Sequence, residues 1–185
     1  MIELRDHARK IAVATVLALL LPGFLGVTAS AESSTATAFD TSFLAYQPII
    51  EECTFLTIIN EYRDEYGLGS LQISQKLGAA AKFHSADMAS NNYFSHILHD
   101  GSTWSQNIQS TGYDYNTYRG ENIAAGNYYA DYAFTQWVNS PIHNANMLNP
   151  DFTVIGIGLV SSDSSDWIYY WTTTFGGYTD KTVSC

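Results

Sequence analysis

The spacing of apolar side chains changes once along this chain, near Pro141, and that change narrows the fold more than any other feature. Before it, apolar residues recur at helical intervals. Phe55, Leu56, Ile59, Tyr62 and Tyr66 form one stripe, in a helix opened by Pro48 and closed by Gly67. Ser74 is placed to cap a second helix carrying Leu77, Ala81, Phe83 and Met88, which stops near Asn91 and Asn92. A short helix is predicted over residues 103–111, ended by Gly112, and a further one over about residues 127–139, stopped by Pro141. Residues 113–119 alternate aromatic and polar side chains and read as a short strand. After Pro141 the period falls to two. Residues 152–160 and 167–175 are rich in β-branched and aromatic side chains, and the polar run 161–166 between them makes an antiparallel hairpin. Helices first and strands last predict an α+β domain, its sheet covered by helices.

The amino terminus has a different character. Arg5, Arg9 and Lys10 precede an apolar run over residues 11–21, Pro22-Gly23 breaks it, and Ala29-Ser30-Ala31 supplies small residues for a peptidase. This is the pattern of a secretory signal peptide, and the run is shorter than the roughly 20 residues a spanning helix needs. The predicted organisation is a signal peptide over 1–31, a Ser/Thr/Ala-rich flexible leader over 32–46, and one folded domain over 47–185. No second apolar stretch in the mature chain is long enough to span a membrane.

Beyond residue 31, five Lys and Arg face sixteen Asp and Glu. So acidic a chain is a poor partner for nucleic acid or anionic headgroups. Cys53 and Cys185 are the two cysteines. In an exported chain the simplest arrangement pairs them, the alternatives being two free thiols or a bridge between chains. Closing so long a loop stabilises by roughly 4–5 kcal/mol in the chain-entropy picture.

Chemistry-bearing residues gather in the middle of the chain: Phe94-Ser95-His96, then Gly120-Glu121-Asn122-Ile123-Ala124, then Trp137-x-x-Ser140-Pro141-x-His143. Asn60-Glu61-Tyr62-Arg63 and Gly67-Leu68 precede these motifs, and Asn146-x-Leu148, Gly156-x-Gly158 and Phe175-Gly176 follow. In this order the motifs resemble the bacterial branch of the CAP superfamily, the SCP-like domain of cysteine-rich secretory, venom allergen and plant pathogenesis-related proteins. The resemblance covers about residues 49–177 and implies a three-layer α-β-α sandwich with a small, mainly antiparallel sheet. It also implies a cavity of two histidines and two acids able to bind a divalent metal such as zinc. Carried over, His96 and His143 are the metal-binding histidines, Glu121 the first acid, and Ser140 stands where the second acid is expected. Asn144 stands where bacterial members often carry arginine.

The residues make a case of their own. Two imidazoles with water leave an open, catalytic-type metal site, and a neighbouring carboxylate orients an imidazole or holds metal-bound water. Ser140 brings a hydroxyl but no charge. The plainer alternative has His96 and His143 at helix ends and Glu121 on backbone amides in a turn. His99 is expected in an exposed loop and His84 as an ordinary helix residue. Ser140, His143 and Glu121 have the composition of a nucleophile triad, without the G-x-S-x-G turn or an oxyanion hole. Gly156 and Gly158 lack the third glycine of a nucleotide loop and mark close packing. Tyr113, Tyr115 and Tyr118 suggest an aromatic rim for lipid or glycan.

The functional expectation is a secreted binding module for a lipid, a sterol or a cell-surface partner, with a divalent metal tuning the cavity. Its runner-up is a metal-assisted hydrolase, protease or esterase, in which Glu121 moves a proton. A third class is a disulfide-tied structural protein of the cell envelope. Fold alone does not choose among them. Cleavage after Ala31 predicts a secreted product beginning at Glu32, to be checked by amino-terminal sequencing of the exported protein.

Overall fold

The computed structural model describes residues 45–185; the expected signal peptide, and the expected leader up to residue 44, lie outside the described residues. In chain order the elements are α1 (Ile50–Glu65), β1 (Gln72–Ser74), α2 (Gln75–Asn91), α3 (Trp104–Ser110), β2 (Arg119–Ala125), α4 (Ala130–Val138), α5 (Pro141–Met147), β3 (Val154–Ser161), β4 (Tyr169–Gly176) and β5 (Thr182–Val183). The strands form one sheet in the order β2-β4-β3-β1-β5, parallel only where β1 meets β3. No helix of the described residues is long and apolar enough to cross a membrane.

The expected hairpin is β3 and β4, in register from Val154 opposite Gly176 to Ser161 opposite Tyr169. Its alternation sends side chains into two layers. Ile155, Ile157, Leu159, Trp171 and Phe175 meet Phe55 and Ile59 of α1, Trp137 of α4 and Met147 of α5. On the other face Val154 joins Leu77 and Ala80 of α2 and Ile108 of α3, while Tyr170 joins Met88. The architecture is thus an α+β three-layer sandwich.

Glycine governs the α2 side. A Cβ on Gly156 would lie 2.1 Å from the Leu77 carbonyl, and one on Gly158 would lie 2.5 Å from the backbone of Ala81. The helix therefore rests directly on strand backbone. Ser85 donates to Gly158 O and to Thr172 Oγ1, and Thr174 Oγ1 donates to Leu77 O, so these buried hydroxyls are paired across the contact.

Side chains complete the exposed stretches of strand. Where β1 ends, Tyr46 Oη donates to Ile157 O, Leu159 N donates to Glu52, and Lys82 donates to Leu159 O and to Glu52. Along the free edge of β2, Asn146 donates to Glu121 O, Trp137 Nε1 to Ile123 O, and Gln136 to Ala125 O. Such capping closes an edge that would otherwise offer itself for strand addition. Arg63, fully buried, donates to the carbonyls of Gly69, Met147, Asn149 and Phe152, joining the end of α1 to α5 and the start of β3.

Four expectations need correction. Tyr46, assigned to the leader, is buried in the core and approaches the Gly78 backbone closely. Residues 113–118 are irregular, and the strand begins at Arg119 and carries the Glu121 motif instead. Pro141 does stop α4, yet it also sits at the start of α5, where a missing N–H costs nothing. The three tyrosines do not share one exposed rim: Tyr113 is buried, Tyr115 is half-buried and stacks on Tyr178, and Tyr118 is exposed. The Cys53–Cys185 bridge is present, closing a separation of 132 residues.

Gly156→Ala is expected to destabilise the domain by at least about 1–3 kcal/mol through overpacking against α2. Gly69→Ala, with open space around its Cβ position, is expected to stay within about 0.5 kcal/mol of wild type in the same urea titration.

Candidate functional site

The three expected polar groups arrive from three elements and meet at the free edge of β2. Glu121 points toward the α2 layer, in line with Ile123, whereas Asn122 points toward α5. Asn122 donates to His143 O, and Asn146 bridges Asn122 Oδ1 and Glu121 O, so α5 is fastened to the strand beside the acid. His96 comes from the loop after α2, which leaves the helix through a left-handed Asn92. Asp87 pins that loop by accepting from Tyr93 Oη and His99 N. With a layer on each side of the sheet supplying one histidine, the His96 and His143 rings come to 6.2 Å between centroids.

Glu121 is buried, with both carboxylate oxygens engaged. Oε1 lies 2.7 Å from His96 Nδ1, and Oε2 lies 2.7 Å from Nδ1 of His84. The His96 side chain remains 44 % exposed, whereas that of His84 is wholly buried. His84 Nε2 lies 3.0 Å from the Ser95 carbonyl, next to His96 in the chain. His84, expected to be an ordinary helix residue, is therefore a member of the site. A signal was present: it falls on the buried stripe of α2 with Leu77, Ala81 and Met88, where a histidine needs a polar partner.

The remaining candidates separate. His99 is exposed, its ring near Tyr93 and outside the cleft. Ser140 is the N-cap residue of α5, three positions before His143, and its side chain makes no capping bond. A Ser140–His143–Glu121 triad is not formed, because the acid spends both oxygens on the other two histidines. His143 is half-buried, and burial, followed by the nearby His96, lowers its pKa below the ordinary histidine value.

The donor set is a poor match to a metal ion. Among the described residues no group of three or more His, Cys, Asp or Glu is arranged to hold one. Glu121 is committed to two imidazole nitrogens, leaving His96 and His143 as donors. Catalytic zinc uses three protein ligands and structural zinc four. The site thus offers two imidazole donors, one of them oriented by a buried carboxylate, and fewer protein ligands than a resident zinc ordinarily has.

The model of the cysteine-rich secretory protein family matches residues 56–175. The chain is 37 % identical over 146 residues to the uncharacterised protein YkwD of Bacillus subtilis, covering 79 % of this chain and 52 % of YkwD. It is 33 % identical over 108 residues to the uncharacterised membrane protein YlbC of the same organism, covering 58 % of this chain and 31 % of YlbC. It thus spans about half of one curated relative and a third of the other. An extracellular SCP-domain protein of Bacillus anthracis superposes with a TM-score of 0.60 at 31 % identity, over 68 % of this chain and 39 % of that one. An outer surface protein of Borrelia burgdorferi gives 0.62 at 27 %, over 72 % and 97 %.

His143 resists protonation when folded, while the unfolded chain takes up its proton at the ordinary value. Its contribution to stability is therefore full above about pH 6.5 and declines as pH falls from there toward the folded midpoint. In a proton NMR titration the His143 midpoint is expected below 6.5. It should rise only part of the way back in His96→Ala, since burial is the larger cause.

Proposed function

The chain belongs to the cysteine-rich secretory protein (CAP) family, and on that premise we propose that it works outside the cell as a binding module. Its ligand is received at the edge of β2, between His96 and His143. The extracellular and outer-surface descriptions of two structural relatives support the location, as does the signal-like amino terminus. The observation that carries the binding reading is the convergence itself. Two partly exposed imidazoles face each other above a buried carboxylate, on backbone held by Asn122, Asn146 and Asp87. A site built on rigid elements with buried support is suited to recognising a ligand's polar group.

The acidic mature chain favours an uncharged ligand over an anionic headgroup. A neutral lipid with a hydroxyl, a sterol among them, meets that condition, as does an uncharged cell-surface component. A divalent metal is not required by this reading. The hydrolase has less support, because Glu121 is buried with an imidazole on each oxygen and the site offers two imidazoles where catalytic zinc uses three protein ligands.

Flotation of the chain from residue 32 with phosphatidylcholine vesicles, with and without cholesterol, tests the lipid arm; sedimentation with an insoluble neutral glycan tests the surface arm. Saturable binding to one of them is expected, weakened at least about tenfold in the His96→Ala, His143→Ala double variant with an unchanged circular dichroism spectrum. Binding to neither, or equal binding by the variant, would overturn the assignment.

A further inference from the structure

The hydrogen bonds of His84 carry a proton count. Its Nε2 lies 3.0 Å from the Ser95 carbonyl, an acceptor only, so that nitrogen bears a hydrogen. Its Nδ1 lies 2.7 Å from Glu121 Oε2, and a second proton must sit in this contact, because two lone pairs at that distance repel. A third proton sits in the 2.7 Å contact between Glu121 Oε1 and His96 Nδ1. Carboxylic acids release protons more readily than imidazolium ions. The protons are accordingly assigned to nitrogen: two on His84, one on His96 Nδ1, none on Glu121. On that assignment the charge of His84 is offset by the Glu121 carboxylate 2.7 Å away. With its Nδ1 proton directed at Glu121 Oε1, His96 has Nε2 as the ring nitrogen left for a ligand.

We propose that His84 is a positioning residue of the cleft: through Glu121 it locks His96 as the Nδ1–H tautomer, presenting Nε2 as a hydrogen-bond acceptor for an uncharged O–H or N–H donor on the ligand. The inference deepens the binding reading above and rests on it for the ligand's access to His96. It specifies what that reading leaves open, the polarity of the ligand group. His84 touches no ligand itself. It acts by giving Glu121 Oε2 a fixed partner, so that the carboxylate stays turned with Oε1 toward His96. The same residue holds the Ser95 carbonyl and with it the backbone from which His96 projects. Both nitrogens of His84 are engaged, and each contact lies on the path to His96.

The test is long-range proton–nitrogen NMR on histidine-labelled chain from residue 32, at neutral pH and without ligand. Wild type is expected to show both His84 nitrogens protonated. His96 is expected to favour Nδ1–H over Nε2–H by about tenfold to a hundredfold, the range of a charge-assisted hydrogen bond. In His84→Gln, with the amide fingerprint retained, that ratio should fall at least about tenfold. A singly protonated His84, a predominantly Nε2–H His96, or an unchanged ratio in the variant overturns the proposal. If His84→Gln does not fold, the wild-type spectrum decides alone. Because no ligand is added, a chain that binds none of the probes above can still pass, and one that binds them can fail.

Discussion

Everything in this domain depends on how closely α2 lies on β3. Two strand glycines remove the side chains that would hold the layers apart, and the helix answers with Ala81 and Ser85 on the facing stripe, while Gly78 makes room for Tyr46. At that separation a helix side chain of modest length reaches across the sheet's width. His84, one turn beyond Ala81, meets Glu121 two strands away, with β4 between β3 and β2. A layer spaced by ordinary apolar side chains would leave the acid without its inner partner. The chemistry of the cleft is therefore a consequence of backbone packing some distance from it.

The second organising feature is the treatment of unpaired strand. β2 has one neighbour, β4, and its outward carbonyls at residues 121, 123 and 125 are claimed by Asn146, Trp137 and Gln136. The helices that provide these donors are the same α4 and α5 that carry Ser140 and His143 into position. Closing the edge and building the site are one structural act. This explains why the site straddles a sheet margin, where groups from opposite layers can approach around a single strand, instead of lying within one layer.

The legible parts of the fold were those in which one physical signal dominated. The β3–β4 hairpin shows in its alternating β-branched and aromatic residues, and α1 and α2 in their stripes and caps. β2 was hidden because its residues are buried toward both layers and include Gly120, Glu121 and Asn122, none of which favours strands. α5 was hidden because proline terminates one helix and begins the next. β1 and β5, of three and two residues, are too short to show a period. Within the cleft, His96, Glu121 and His143 were visible as motifs, yet spacing along a chain does not tell which carboxylate oxygen faces which ring. The contact of Glu121 with two histidines at once came from geometry. So did the recruitment of His84.

The bridge between Cys53 and Cys185 joins the first helix to the last residue, so almost the whole described domain lies inside one covalent ring. A protease that nicks any surface turn between those sulfurs leaves a single molecule whose two pieces cannot diffuse apart. That topology turns a first cut from a loss into a scar.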